Sequence, residues 1–473
     1  MGVARLDQRP DKQKNRFMHR YFPQWKLKTS GIIAPDERLP VGPTIMVGLQ
    51  HVLAMFGSTV FAPLAMGFDP NTAIFFSGIG TLIFFLIVGG RVPSYLGSSF
   101  AFIGVIIAAT GYQPGTGLNA HISIALGGVV AVGLIYMAVA LIVMLVGSRW
   151  VEVIMPPVVT GSVVATIGLN LASSTIGNIS RHAFDAWMAS VTVLAVALIA
   201  VYAPGSIRRL SILVGGVIAY LITLVLGLIG VGPRLDFSSV AKAAWIGLPH
   251  FQTPQFSGNA ISLIAPVVII LIAENIGHVR AVSAMTHRNL DKYLGRAFMG
   301  DAVATTIAGF GGSVGVTTYA ENIGVMAVTR IYSTLIFIVA SVAAILLGFC
   351  PKFGAIISTI PEGVFGGLSI VLFGLIAISG ARIWVENRVD FSKSRNLITA
   401  GVSLILGSGM VGGLAVKFGN VTFDGIGVAT FTAIVLYQIL REGESVPEES
   451  AVADAAVSPT APSDLSHSSL HES

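Results

Sequence analysis

Charge is what this sequence has least of. Asp, Glu, Lys and Arg make up only 11% of its 473 residues, whereas hydrophobic residues make up 54%. Because soluble domains carry about 25% charged residues, this composition excludes a soluble globular protein. Apolar runs of about 20 residues, the length that crosses a bilayer, fill most of the chain from Val41 to Leu440. The sequence therefore predicts an integral membrane protein.

The sequence also lacks the motifs of several enzyme classes. Cys350 is the one cysteine, so no disulfide can form within the chain. There is no Gly-x-x-x-x-Gly-Lys-Ser/Thr run for ATP, and His and Cys show no metal-ligand spacing. No Ser-His-Asp arrangement stands out, which leaves a membrane-embedded hydrolase as a weak alternative. We expect no enzyme activity, metal, organic cofactor or nucleic-acid partner.

The apolar runs predict an all-α polytopic protein, because backbone groups in lipid must be satisfied within each span. We predict fourteen spans, of which the third and tenth are too short to cross as plain helices. Their approximate limits are 42–62, 71–90, 97–111, 121–147, 151–172, 186–203, 209–231, 259–283, 296–310, 316–330, 331–350, 361–380, 395–412 and 421–440.

Most of the 28 Lys and Arg residues fall on one side of this topology. They lie in the N-terminal tail and in the loops near Arg208, Arg280–Arg296 and Arg382–Arg395. By the positive-inside rule, both termini are cytoplasmic and the protein lies in a bacterial inner membrane. We expect a basic tail over 1–40 without a cleavable signal, a transmembrane domain over 41–440 and a disordered tail over 441–473. Aromatic residues lie among the basic ones at 17–25. They fit an interfacial segment and a disordered tail equally well.

The two halves of the chain resemble each other. Ser98-Ser-Phe-Ala-Phe-Ile-Gly-Val in the third span parallels Thr317-Thr-Tyr-Ala-Glu-Asn-Ile-Gly-Val in the tenth, and Pro156 opens the fifth span much as Pro361 opens the twelfth. An offset of seven spans, an odd number, predicts a 7+7 inverted repeat, which is a transporter architecture. Glycines and hydroxyl residues before each copy predict a short extended strand followed by a half-helix. Re-entrant packing elements of a channel are the alternative.

Two acids and a histidine lie within the apolar segments. Glu274 precedes His278 by one turn, and Glu321 lies at the predicted bend of the tenth span. An ionisable group at this depth costs roughly 2.5–3.5 kcal/mol on insertion scales, so we predict a substrate or ion site. The four-residue spacing predicts a Glu274–His278 hydrogen bond that stores a proton, and a structural polar clasp is the alternative.

Further residues are predicted to complete this site. A ligand with adjacent N–H and C=O groups would donate to the acids and accept from the backbone N–H of Phe100 and Ala320. A flat ring would stack on Phe100 or Tyr319. For the remaining polar residues, we expect the following: His51 borders the site or packs; Asn322, Ser99 and Thr318 support it; Asp301 bridges spans nine and eight.

These motifs resemble those of the nucleobase–ascorbate transporter family. Glu321-Asn-Ile-Gly-Val-Met-Ala-Val-Thr-Arg is similar to its signature Gln/Glu-Asn-x-Gly-x-x-x-x-Thr-Arg/Lys/Gly. Ala273-Glu-Asn-Ile-Gly-His, Leu49-Gln-His and Tyr95-Leu-Gly-Ser-Ser-Phe resemble its motifs in other spans, and the match covers about residues 35–440. Bacterial uracil permeases of the family are the most similar. Two positions depart from them: Ala320 replaces a glycine and Asn275 a histidine.

The resemblance implies a core domain of spans 1–4 and 8–11, a gate domain of spans 5–7 and 12–14, and a homodimer formed through the gate. It implies uracil held by Glu274 and Glu321 with the backbone of Phe100 and Ala320, and His278 in proton coupling. Xanthine and urate transporters usually carry Gln at the position of Glu321, which favours a pyrimidine. The expected function is proton-coupled import of uracil, with thymine and related pyrimidine bases as further candidate substrates. The alternatives are a purine or xanthine symporter and a passive facilitator or channel.

Overall fold

The computed structural model describes residues 21–113, 117–180, 182–204, 207–208, 210–410, 415–418 and 421–440. Helices dominate these residues. In chain order they are α1 Val41–Met66, α2 Pro70–Ile87, α3 Phe102–Thr110, α4 Ile122–Val146, α5 Arg149–Ile154, α6 Pro157–Ile179, α7 Ala183–Tyr202, α8 Ser211–Leu228, α9 Ser238–Lys242, α10 Gly258–Ile264, α11 Val267–Thr286, α12 Leu294–Gly311, α13 Ala320–Thr329, α14 Leu335–Gly348, α15 Pro351–Ile357, α16 Glu362–Glu386, α17 Ser394–Gly409 and α18 Gly425–Ile439. The predicted C-terminal tail, 441–473, lies outside the described residues.

Six short strands pair in three two-stranded sheets. The strands are β1 Lys26–Leu27, β2 Glu37–Arg38, β3 Leu96–Ser98, β4 Val316–Thr318, β5 Ala415–Phe418 and β6 Val421–Asp424. They pair as β1–β2, β3–β4 and β5–β6. The third sheet changes the predicted last span, because residues 421–424 are extended and its helix begins only at Gly425.

Eight helical segments in the described residues are long and apolar enough to cross a membrane. One of them joins α10 and α11, which break at Pro266. A ninth arises if α14 and α15, which meet at an 85° bend, form one broken span. The predicted third and tenth spans fall below this length because each contains a strand and a half-helix. The count of fourteen stays a prediction.

The long helices pack in two groups. In the first, α12 lies between α4 and α2, and α14 packs against α1 and α2. In the second, α6 packs against α16, α17 and α18, and α7 lies between α16 and α8. The groups meet where α1 contacts α8 and α16, and where α11 contacts α6.

The strands predicted in spans three and ten are confirmed, and they pair with each other. β3 and β4 run antiparallel with Leu96 opposite Thr318 and Ser98 opposite Val316. Main-chain bonds from Ser99 N to Gly315 O (2.9 Å) and from Tyr319 N to Tyr95 O (3.0 Å) extend the ladder. This pairing satisfies backbone groups that lipid cannot. It also brings the starts of the half-helices α3 and α13 together.

Two threonines cap the outer edges of this small sheet. The Thr81 hydroxyl of α2 accepts from Leu96 N (2.9 Å) and donates to Leu96 O (3.3 Å). The Thr305 hydroxyl of α12 does the same for Val316, at 3.2 and 2.8 Å. A two-stranded sheet leaves both edges unpaired, and these hydroxyls supply the missing partners at a buried position.

The N-terminal segment, residues 21–40, is ordered and packs on the first helical group. Trp25 stacks on Phe85 (ring centroids 6.0 Å apart), and its Nε1 donates to Thr334 Oγ1 at 2.9 Å. Ile33 pairs with Ile331 just after α13, and Asp36 forms an ion pair with Arg288 at 2.7 Å. Residues 21–40 therefore pack against the helices, whereas residues 1–20 lie outside the described part and the nature of the predicted tail stays a prediction.

Candidate functional site

Two side chains of α11, one turn apart, reach the ends of the two buried strands. Glu274 accepts a hydrogen bond from Ser99 Oγ at 3.4 Å, directly after β3. His278 Nδ1 forms a hydrogen bond of 2.8 Å with Thr318 Oγ1, at the end of β4. The i, i+4 spacing places both side chains on one face of α11, and the antiparallel sheet presents its two ends to that face.

The predicted hydrogen bond between Glu274 and His278 is wrong for this conformation. Among the described residues, the partner of the imidazole is Thr318 and that of the carboxylate is Ser99. The two side chains share a helix face, but each bonds a residue at a different end of the sheet. His278 therefore connects to Glu274 through the β3–β4 sheet rather than directly.

The second acid, Glu321, is in the first turn of α13. It accepts a short hydrogen bond from Ser58 Oγ of α1. Glu321 also lines a cavity of about 340 Å³. Its other lining residues come from α1, α13 and the start of α8: Leu53, Ala54, Gly57, Ser58, Arg208, Leu210, Ile212, Leu213, Gly324, Val325 and Val328.

The two predicted backbone donors lie at the starts of the half-helices. Ala320 is the first residue of α13. It is exposed, although the sequence around it is mostly apolar. Phe100, two residues before α3, is half-buried. Among the described residues, neither amide N–H has a hydrogen-bond partner. An unpaired N–H at a helix start attracts an acceptor with a partial negative charge.

Tyr319 and His51, like Glu274, Phe100 and Ala320, are not among the residues that line this cavity. The Tyr319 ring covers Gly97, where a Cβ would lie 2.4 Å from the ring, and its hydroxyl donates to Ser98 O at 2.8 Å. His51 is fully buried, and its ring lies 4.8 Å from that of Phe337. Asn322 Nδ2 donates to the His51 carbonyl at 3.0 Å. This bond ties the half-helix α13 to α1, and the supporting role of Asn322 at the site stays a prediction.

Asp301 joins α12 to α11, as predicted. Its carboxylate accepts from Asn275 Nδ2 at 2.6 Å and from Thr317 Oγ1 of β4 at 3.3 Å. All three side chains are buried. Asn275 follows Glu274 directly, so this bridge fixes the turn of α11 that carries the acid.

Three contacting residues escaped the sequence reasoning. Ser58, Thr81 and Thr305 are hydroxyl residues within apolar helices, where a hydroxyl usually bonds its own helix. A weak signal existed in their position: Thr81 and Thr305 both lie in the helix that precedes a predicted broken span. Ser58 carried no such signal, because its partner is remote in sequence.

The site combines two carboxylates, which only accept hydrogen bonds when ionised, with two unpaired amide donors. A planar ligand whose edge alternates N–H and C=O groups matches both sets. Phe100 supplies an aromatic face beside them. Among the described residues, no cluster of three or more His, Cys, Asp or Glu side chains could hold a metal ion.

Comparisons with known proteins identify the family of this chain. A family model described as a permease family, Xan_ur_permease, matches residues 42–416. The putative pyrimidine permease RutG of Escherichia coli strain K12 is 58% identical over 424 residues, which cover 89% of this chain and 95% of that protein. The uracil permease of Paenibacillus larvae is 39% identical over 421 residues, covering 86% of this chain and 96% of the relative.

Solved structures share the fold at low sequence identity. The murine anion transporter Slc26a9 in its inward-facing state superposes with a TM-score of 0.62 at 11% identity, over 93% of this chain and 73% of that one. The transmembrane domain of the cyanobacterial bicarbonate transporter BicA gives 0.54 at 12% identity, over 84% and 96%. These likenesses establish a membrane-transporter fold. With a matching family model and relatives that align along nearly its whole length, the chain belongs to the nucleobase–ascorbate transporter family of permeases.

Proposed function

We propose that this protein imports uracil by proton symport, with thymine as a further candidate substrate. The observation that carries this proposal is that Glu274 bonds Ser99, next to the unpaired Phe100 amide, and that Glu321 directly follows the unpaired Ala320 amide. Uracil presents two N–H groups and two carbonyls around one small ring, which suits that set of acceptors and donors. The relatives named as pyrimidine and uracil permeases support the same substrate class.

Proton coupling supplies the driving force that a neutral substrate lacks. Uracil is neutral near pH 7, so the membrane potential exerts no force on it alone. One co-transported proton contributes about 2.3 kcal/mol per 100 mV. Glu274 and Glu321, held in apolar segments, are candidate carriers, and His278 acts through Thr318 and the shared sheet on the same site.

In this proposal the chain crosses a bacterial inner membrane fourteen times as a 7+7 inverted repeat, with both termini in the cytoplasm. The helical group around α12 is the core domain and the group around α6 and α16 is the gate domain, through which a homodimer forms. Support comes from the paired strand–half-helix units and from the basic residues near Arg208 and Arg280–Arg296.

Uptake of radiolabelled uracil into membrane vesicles tests the function. We expect accumulation under an inward proton gradient and its loss when a protonophore is added. Accumulation that resists the protonophore and requires sodium would contradict proton coupling. Uptake that never exceeds equilibrium would indicate a passive facilitator instead.

His278→Ala tests the coupling step separately. We expect net uptake to fall more than uracil counterflow, because the ligand contacts of both carboxylates remain while the His278–Thr318 link is lost. Equal losses of net uptake and counterflow would instead place His278 in direct contact with the substrate.

Competition by excess thymine, xanthine and adenine tests the substrate class. A pyrimidine site predicts that thymine competes with uracil and that xanthine and adenine do not. Strong inhibition by xanthine alone would assign the chain to the purine and xanthine symporters of the family.

A further inference from the structure

The cavity at Glu321 extends in one direction only. Along α1 it is lined from Ser58 back to Leu53, and along α13 from Glu321 forward to Val328. With 1.5 Å per helical residue, it reaches roughly 10 Å from the carboxylate towards the end of the molecule where α8 begins. Arg208 and Leu210 lie at that end.

Phenylalanine rings occupy the opposite side of the carboxylate. Phe61 lies one turn beyond Ser58 on the same face of α1 and is buried. Its ring is stacked on Phe365 of α16, with centroids 4.5 Å apart and planes at 22°. It is also stacked towards Phe100, at 6.3 Å and 28°, and meets Phe373 edge-on at 5.7 Å.

These rings join the two helical groups. Phe61 and Phe100 belong to the group that carries Glu274 and Glu321, whereas Phe365 and Phe373 are on α16 of the other group. The Phe61–Phe365 stack is therefore a contact between the two helical groups. It lies beside the ring of Phe100, on which a planar ligand is predicted to stack.

We propose that Phe61 and Phe365 form the barrier that closes the site on the side away from Arg208, and that Phe61 sets the plane of the Phe100 ring. The barrier takes its role in transport from the proposed function, but its existence does not depend on the substrate. In the proposed orientation, the Arg208 side is cytoplasmic, so these rings shut the outer path of an inward-open protein.

Stacked rings suit a barrier that must open and close. Their contact adds attraction beyond the buried area, yet no hydrogen bond or ion pair has to be broken when the helices separate. Removal of one ring leaves a gap that neighbouring backbone cannot fill, because both rings project from rigid helices. The barrier then leaks, and Phe100 loses the ring that supports it.

Thiol accessibility tests the barrier. Gly324→Cys in a Cys350→Ser background places one thiol in the cavity, where a Cβ meets no atom within 4 Å. A membrane-impermeant maleimide is applied to each face of the membrane separately, in whole cells and in inside-out vesicles. In the parent protein we expect fast labelling from the Arg208 side and slow labelling from the other.

Phe365→Ala should raise labelling from the slow side by about two- to tenfold, the range that corresponds to the loss of one stacked pair. Phe61→Ala should do the same, and it should also weaken uracil binding through Phe100. Phe365→Leu, which keeps apolar bulk without a ring, guards against a folding defect and should give a smaller increase.

Leu375→Ala is the matched control, because Leu375 is on the same helix with its side chain exposed on the apolar surface. Labelling from the fast side shows that each variant is folded. Unchanged slow-side labelling in Phe365→Ala, or an equal increase in Leu375→Ala, would overturn the barrier. Failure of uracil transport with an intact labelling pattern would refute the proposed substrate and leave the barrier standing.

Discussion

At the scale of single residues, hydroxyl groups determine how the two acids are held. Ser58 donates to Glu321 and Ser99 to Glu274, and each bond uses only part of a carboxylate that can accept about four. The remaining lone pairs are available to a ligand. Full satisfaction by the protein would make the acids structural, whereas partial satisfaction leaves a buried group that gains stability when a donor binds.

Glu274→Gln and Glu321→Gln should each weaken uracil binding by at least about fivefold. The amide keeps the shape of the side chain but can turn a donor towards a ligand N–H, and an unpaired buried group costs about 1–3 kcal/mol. Isothermal titration calorimetry measures this. Glu362→Gln, at the exposed start of α16, is the control. An affinity within twofold of wild type in either site variant would place the uracil site elsewhere.

At the scale of elements, the β3–β4 sheet is the frame of the site, and its stability depends on groups outside it. A pair of three-residue strands is too short to persist alone. Thr81 and Thr305 complete its edges, while Asp301 reaches β4 through Thr317. Helices α2, α11 and α12 thereby set the position of both half-helix starts.

Thr305→Val should destabilise the protein by about 1–3 kcal/mol, because Val316 loses a partner for both its N–H and its C=O. Thr306→Val is a matched control: the neighbouring hydroxyl bonds only the carbonyl of Ala302 in its own helix. Thermal unfolding in detergent compares the two. Equal melting temperatures for the two variants would mean that the sheet edge does not depend on Thr305.

Close packing within the second helical group depends on glycines of α6 and α16. A Cβ on Gly380 would lie 2.4 Å from both Ala165 N and Gly161 O, which are backbone atoms and cannot move aside. These small residues thus serve tight contact inside one group, α6 against α16.

Gly380→Ala should therefore lower thermal stability, by about 1–3 kcal/mol for an overpacked contact. Gly374→Ala, on the same helix with no atom within 4 Å of the new Cβ, should be neutral or stabilising by up to about 1 kcal/mol. Melting curves of the two purified variants provide the measurement. A destabilisation of the same size in both would show that helix propensity, not the α6 contact, controls the result.

At the scale of the whole molecule, the N-terminal segment ties together distant parts of the first helical group. It contacts the end of α2 through Phe85, the loop after α11 through Arg288, and the chain just after α13 through Ile331. These points are far apart in sequence. The segment thus restrains the far end of α13, the half-helix that carries Glu321.

Asp36→Asn should loosen this segment and speed amide hydrogen exchange over 26–38. Burial acts to raise the pKa of Asp36, but the hydrogen bond and charge of Arg288 outweigh it and hold the pKa below its usual value. A lowered folded pKa means that the ion pair stabilises above about pH 4 and that this contribution disappears as the pH falls through the folded pKa. Exchange measured by mass spectrometry at neutral pH should therefore separate the variant from wild type.

Asp390→Asn is the control for this experiment, because that carboxylate bonds only its near neighbour Ser392. It should leave exchange over 26–38 unchanged. Identical exchange in Asp36→Asn and wild type would show that the aromatic and main-chain contacts hold the segment without the ion pair.

Local physical chemistry explains what the sequence determined by itself. The scarcity of charge required a membrane protein, and glycines with hydroxyls before two apolar half-helices required breaks at 96–101 and 316–319. Glu274 and Glu321 stood out because an acid at that depth costs free energy wherever it lies. Asp301 was found for the same reason, whereas Asn322 was singled out because it directly follows Glu321.

Only the tertiary structure decided which residues become hydrogen-bond or packing partners. Ser58 and Glu321 are 263 residues apart, and Trp25 and Thr334 are 309 apart. His278 bonds Thr318 rather than Glu274, because the antiparallel strands bring that hydroxyl to its face of α11. Phe61 and Phe365 meet because two helical groups pack against each other, and no local pattern in either helix specifies that contact. Composition and periodicity act along the chain, whereas these contacts depend on which helices become neighbours.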